Sequence, residues 1–162
     1  MKAVSKKALR LSSMHLIFLH GKPNVGKSTT LNGLYFELLS LGAKVVVWPS
    51  DAIGTPNDFE CILEYKEKKI AISSVGDNHF PITYAIGYYD AKECDVLVLA
   101  YSKKVVTKNN KKCPSYPEYI LKRFSHFQMI EKTSGGNTAQ KQDPSDVKAL
   151  KKLLCAIDEI CQ

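Results

Sequence analysis

Residues 21–28 read Gly-Lys-Pro-Asn-Val-Gly-Lys-Ser, which sets two glycines, a lysine and a hydroxyl at the spacing G-x-x-x-x-G-K-[ST]. Gly21 and Gly26 permit backbone angles and close approach that a Cβ would block. Successive N–H groups between them can therefore point into one concavity and bind phosphate oxygens. Lys27 adds a movable positive charge, and the Ser28 hydroxyl is a ligand type suited to Mg²⁺. A helix beginning here turns the positive end of its dipole toward the same spot. The chemistry that follows is capture of a polyphosphate tail.

Such a loop works only between a strand that aims it and a helix that receives it, and both are legible. His15–His20 reads as a strand buried on both faces, and Thr29–Leu41 as a helix with Leu31, Leu34, Tyr35, Leu38 and Leu39 on one stripe, stopped by Gly42. Lys44–Trp48 reads as the next buried strand, followed by a loop over Pro49–Asp58. Phe59–Tyr65 and Lys69–Ser74 flank the charged tip Lys66-Glu67-Lys68 and are expected to pair as an antiparallel hairpin. Pro81 suits the first turn of a helix that points Ile82, Ala85, Ile86 and Tyr89 inward, although Gly87 weakens it. Asp95–Tyr101 is the clearest strand. Ser115 and Glu118 form a capping box for a helix through Phe124, and Phe127–Lys132 reads as the last strand. Asp143-Pro144 opens a final helix whose Val147, Leu150, Leu154, Ile157 and Cys161 share one face, with Lys148, Lys151 and Lys152 on the wet side.

The alternation predicts an α/β fold with three layers: a mainly parallel sheet, helices on both faces and one antiparallel edge hairpin. In such sheets ligands sit beyond the C-terminal ends of the strands. The organisation expected is a basic N-terminal tail, 1–14, and a single domain, 15–162. The tail is either a ragged terminus or, by its basic, acid-free composition, similar to an organelle transit peptide.

A chain of 162 residues with 44% hydrophobic content can bury a sizeable core, which excludes disordered, collagenous and coiled-coil classes. The net charge of +7, with Glu37 the first acidic residue, favours polyanionic partners. Nucleic acid is compatible with that charge, but no motif supports it. Nearly all the cations are lysines, with Arg10 and Arg123 the exceptions, so the bidentate fork that reads guanine edges is scarce. Cys61, Cys94, Cys113, Cys155 and Cys161 lack any CxxC or Cys/His ligand spacing, as expected of a reduced, cytoplasmic chain. Apolar runs such as Val96–Ala100 are far shorter than the roughly 18 residues of a membrane span, so no membrane partner is expected.

Residues 21–29 resemble the Walker A motif of P-loop NTPases, and the strand-helix order of 15–161 is compatible with that fold. The resemblance implies a nucleoside triphosphate with Mg²⁺, held by Gly21, Pro23, Asn24, Val25, Gly26, Lys27, Ser28 and Thr29. Within the family, Pro23–Thr29 is similar to the loop of ribosome-assembly type GTPases, which read GxPNVGKST. Those GTPases carry D-x-x-G after the strand beside the loop strand, whereas Lys69–Ser74 leads into Ser74-Val75-Gly76-Asp77. Their [NT]-K-x-D acid, which accepts two guanine N–H donors, is missing from Ser102–Val105 and from Thr107–Asn110. ATP is therefore favoured over GTP.

Asp77 comes where the family places the acid that holds Mg²⁺, two or three residues late, and it equally suits a cap for the helix at Pro81. His79 could orient a water or a substrate hydroxyl, or sit in an exposed loop. Asp51 follows Lys44–Trp48, where P-loop kinases often place an acid for the acceptor or the metal; a turn beside Gly54 and Pro56 is the alternative. Ser102–Cys113, with Lys103, Lys104, Lys108, Lys111 and Lys112, is either a basic lid or a solvated loop. Arg123 is a candidate finger, and 133–137 a candidate base contact.

The expected function is Mg²⁺-dependent NTP hydrolysis, with Lys27, Asp77 and Asp51 as catalytic candidates and Ser28 and Asp77 holding the metal. The alternatives are a small kinase acting on a small acceptor, and a nucleotide-gated module or degenerate GTPase serving a protein partner.

Overall fold

The computed structural model describes residues 13–21, 26–52, 55–74, 79–102, 105–108, 111–114, 124, 126–132 and 144–162. Its strands are β1 (His15–Gly21), β2 (Lys44–Ala52), β3 (Thr55–Tyr65), β4 (Lys68–Ser73), β5 (Val96–Ser102), β6 (Val105–Lys108), β7 (Lys111–Pro114) and β8 (Phe127–Glu131). Its helices are α1 (Lys27–Ser40), α2 (His79–Ala91) and α3 (Pro144–Ile160). The fold is α/β. Six strands form one mixed sheet in the order β2-β3-β4-β5-β1-β8, and β6 and β7 form a separate pair.

Strands β4, β5, β1 and β8 are mutually parallel, with His15 abreast of Val96 and Leu16 abreast of Phe127. Period-two alternation sorts their side chains to two faces. Ile17, Leu19, Val96, Val98 and Ile130 join Leu31, Leu34 and Leu38 of α1 and Leu153 and Ile157 of α3 in one core. Leu16, Phe18, Leu97, Leu99 and Tyr101 join Ala85, Ile86 and Tyr89 of α2 in the other. A strand with both faces covered must be apolar throughout, which is why β1 and β5 carry no alternation.

Helix α1 ends as its sequence dictates. Gly42 adopts φ +103°, the Ala43 N–H reaches back to the Leu38 carbonyl at 2.9 Å, and the Gly42 N–H reaches the Leu39 carbonyl at 3.1 Å. This is a Schellman closure, and it requires the left-handed residue that glycine supplies. At the β3–β4 tip, Lys66 and Glu67 both take positive φ (49° and 65°), which suits a tight two-residue hairpin.

Several expectations require correction. Lys44–Trp48 is not a buried strand: β2 is the antiparallel edge strand, and Val46, Val47 and Trp48 are exposed, Trp48 to 72%. Pro49–Asp58 is not one loop, because β2 runs on to Ala52 and β3 begins at Thr55. The antiparallel part is therefore a three-strand meander, β2-β3-β4, rather than one hairpin. The stretch 102–113 is not a simple loop, since Lys108 pairs with Lys111 and Val105 with Pro114 in a β6–β7 hairpin. The buried stripe of α3 is centred on Ala149, Leu153, Ala156 and Ile157, with Leu150 and Leu154 only partly covered. Alanines there let α3 lie close to its neighbours; Leu150 sits 3.9 Å from where a Cβ on Gly33 of α1 would stand. The expected helix over 115–123, Asp143 and the 1–12 part of the tail lie outside the described residues. Among the described residues no helix is long and apolar enough to cross a membrane.

Candidate functional site

Gly21 is the last residue of β1, and α1 begins at Lys27, so the glycine-lysine segment joins a buried strand to a helix start. Gly26 stands at the N-cap of α1 with φ 93° and ψ 26°, a left-handed conformation that a Cβ would strain. Its carbonyl accepts two bonds from Thr30, from the backbone N–H at 3.0 Å and from Oγ1 at 3.1 Å. Among the described residues no side-chain hydrogen bond caps the helix at Gly26, and its first turn holds no acid. The N–H groups of a first turn carry the positive end of the helix dipole, which suits an anion.

Lys27 is 7% exposed, and its Nζ donates to the Gly21 carbonyl at 3.2 Å. The ammonium thereby lies against Gly21, the residue that ends β1. Ser28 is half-buried on the first turn and Thr29 is exposed. Pro23, Asn24 and Val25 lie outside the described residues, as do Asp77, Lys103, Lys104, Arg123 and 133–137. His79 is the first residue of α2.

The strand order decides what else reaches this end of the sheet. β5 lies between β1 and β4, so Lys69–Ser74 is not beside the loop strand, where the D-x-x-G strand of the GTPases is expected. The neighbours of Gly21 are instead Ser102 of β5, directly abreast, and the end of β8, where Glu131 pairs with His20. Asp51 lies in β2, paired with Phe59. Four strand spacings separate β2 from β1, about 19 Å at ~4.8 Å each. The sheet therefore does not bring Asp51 and Lys27 together.

Two features went unremarked in the sequence. Lys132 follows β8, is 1% exposed, and donates its backbone N–H to the His20 carbonyl at 2.9 Å. It is a second lysine drawn into the interior beside the end of β1. Glu60 of β3 accepts from Ser73 Oγ at 3.4 Å and lies against Tyr89, whose phenol is pushed above its ordinary range chiefly by burial and then by this carboxylate. A signal for Glu60 existed: it shares the inward face of Ile62 in a strand pattern, where a carboxylate is out of place. Nothing comparable marked Lys132, one lysine among many.

Among the described residues no group of three or more His, Cys, Asp or Glu side chains could hold a metal ion. The buried thiols are held protonated by burial: Cys61 is pushed up to about 12 and Cys94 to about 11. Neither is a nucleophile at neutral pH. Comparison with known proteins finds no family model, no curated protein and no solved structure that matches this chain, so the reading of this end of the sheet stands on its residues alone.

Proposed function

We propose that the chain binds a nucleoside triphosphate, with ATP favoured, at the junction of β1 and α1 and hydrolyses it with Mg²⁺. The observation that carries this reading is the acid-free start of α1, preceded by left-handed Gly26, with Lys27 folded against Gly21. On binding, the Lys27 ammonium exchanges the Gly21 carbonyl for phosphate oxygens, a stronger, charge-assisted pairing. Backbone N–H groups of the first turn face the same phosphates, and Thr30 keeps the Gly26 carbonyl turned away from them. Ser28 on that turn, with Asp77, would hold Mg²⁺, which neutralises charge on the phosphates when bound. Water is the acceptor in this reading.

ATP is favoured because no acid stands where guanine N–H donors would be read. The order β4-β5-β1 agrees with that preference, since it does not offer the GTPase arrangement beside the loop strand.

A second reading, a small kinase, draws support from the β6–β7 hairpin. It follows β5, whose Ser102 is abreast of Gly21, and it carries Lys108, Lys111 and Lys112, which in this reading would serve as a lid over another phosphoryl acceptor. One experiment separates the two readings: phosphate release from ATP with Mg²⁺ and no added acceptor indicates hydrolysis. Turnover that needs a nucleoside or small metabolite indicates transfer. Absence of nucleotide binding by calorimetry overturns both.

A further inference from the structure

Among the described residues the sheet ends in two very different edges. The β2 edge carries Lys44 and Pro49, and its pairing with β3 shifts register after Val45, Val47 and Asp51. Lysine, proline and irregular pairing are devices that keep a strand edge from recruiting another. β8 has none of them. Its sequence is Phe-Gln-Met-Ile-Glu, and its register with β1 is regular from Phe127 to Glu131.

The hydrogen bonds to β1 leave a defined pattern on the far side of β8. The Leu16 N–H donates to the His126 carbonyl, and the Lys132 N–H to the His20 carbonyl, so even-numbered residues face β1. Phe127, Met129 and Glu131 therefore turn their backbone N–H and C=O groups outward. The side chains of Phe127 and Met129 are 48% and 39% exposed, on the face opposite Ile130. On the Ile130 side a groove of about 320 Å³ runs between β8 and α3, bordered by Lys151, Lys152 and Glu159.

We propose that this edge pairs with the same edge of a second copy of the chain. A two-fold axis at Met129 sets Met129 opposite its counterpart and Phe127 opposite the other copy's Glu131, and the outward N–H and C=O groups pair across it. The charges on α3 select this partner. Lys151 and Lys152 lie beside Ile130, whereas Glu159 also borders the cavity at His126, Phe127 and Gln128, toward the other end of β8. Antiparallel pairing therefore brings the two lysines of each copy toward Glu159 of the other, the self-complementary arrangement of an isologous interface. The result is one continuous sheet running through both copies.

The test is sedimentation equilibrium of the full chain between 5 and 200 μM, roughly the span in which a modest interface declares itself. The expected mass approaches twice the 18.1 kDa chain mass. Met129→Lys, at an exposed position, should return it to the monomer with an unchanged circular dichroism spectrum. Independently of whether that variant folds, Lys151→Glu with Lys152→Glu should weaken association at least tenfold, and adding Glu159→Lys should restore it. A monomer at every concentration overturns the proposal. So does a dimer that a folded Met129→Lys chain retains, or one indifferent to the charge exchange.

Discussion

At the scale of single residues, the chemistry of the proposed site is concentrated in Lys27. Its ammonium is buried and committed to a carbonyl that a phosphate would outcompete. Charge-assisted hydrogen bonds contribute about 1.5–3 kcal/mol. Lys27→Ala should therefore weaken ATP binding about 10- to 100-fold in calorimetry while the circular dichroism spectrum stays the same; unchanged affinity would remove Lys27 from the site. The thiols make a second, independent check on the packing. Cys61, Cys94 and Cys161 are buried and burial raises each of them, whereas Cys155 is exposed. Iodoacetamide at pH 8 should alkylate Cys155 in the native chain and leave those three until denaturant is added, read peptide by peptide in a mass spectrometer. Early labelling of Cys61, at the centre of the α1 and α3 core, would contradict the register of β3.

At the scale of elements, caps and pairings decide the outcome. Gly42 has open space around its Cα but a φ of +103°, so Gly42→Ala tests backbone strain alone. It should cost about 1 kcal/mol in urea unfolding, the penalty for an L-residue held left-handed. The junction of β1 and β8 adds a pH dependence. The rings of His15 and His126 stack at 4.5 Å. Burial, then the nearby charges of His126 and Lys68, lower the His15 pKa, and Asp95 opposes them. The unfolded chain then binds the proton more readily than the folded one. The His15 contribution is complete above the unfolded value near 6.5, and it is lost as pH falls through that value toward the folded one. Urea midpoints should drop between pH 7.5 and pH 5.5, and His15→Gln should flatten the difference. Elements also show how far the sequence could be read. β1, α1, β5 and the Gly42 stop were legible because both-face burial and a left-handed cap leave unambiguous residue patterns. The exposure of Val46 and Val47 was not, since a valine run reads alike on a covered strand and on a bare edge. The tilt of the α3 stripe toward Ala149 and Ala156 was hidden for a related reason: alanine carries little hydrophobic signal, yet it permits the closest helix packing.

At the scale of the molecule, strand order decides which residues meet, and order is what one-dimensional patterns convey least. Asp51 stands near the end of β2 and Lys27 at the start of the helix that follows β1, but three strands lie between β2 and β1. β5, by contrast, places Ser102 beside Gly21, and β8 brings Lys132. Because the loop segment joins a buried strand, β1, to a helix packed against α3, a ligand gripped there binds only the folded chain. Its binding energy must therefore appear as global stability. At a hundred times the dissociation constant that linkage amounts to about 2.7 kcal/mol, which raises the melting temperature of a chain this size by about 5–10 °C. ATP with Mg²⁺ should produce that rise at least as well as GTP does. Lys27→Ala should cut it to about half or less, whereas Asp51→Asn, at the far edge, should leave it intact. A rise with GTP alone would mean that guanine is read by groups other than the missing acid, and the preference for ATP would fall while the phosphate site stood. No rise with any triphosphate, in a chain that still melts cooperatively, would instead reduce the Lys27–Gly21 contact to a structural tie between β1 and α1.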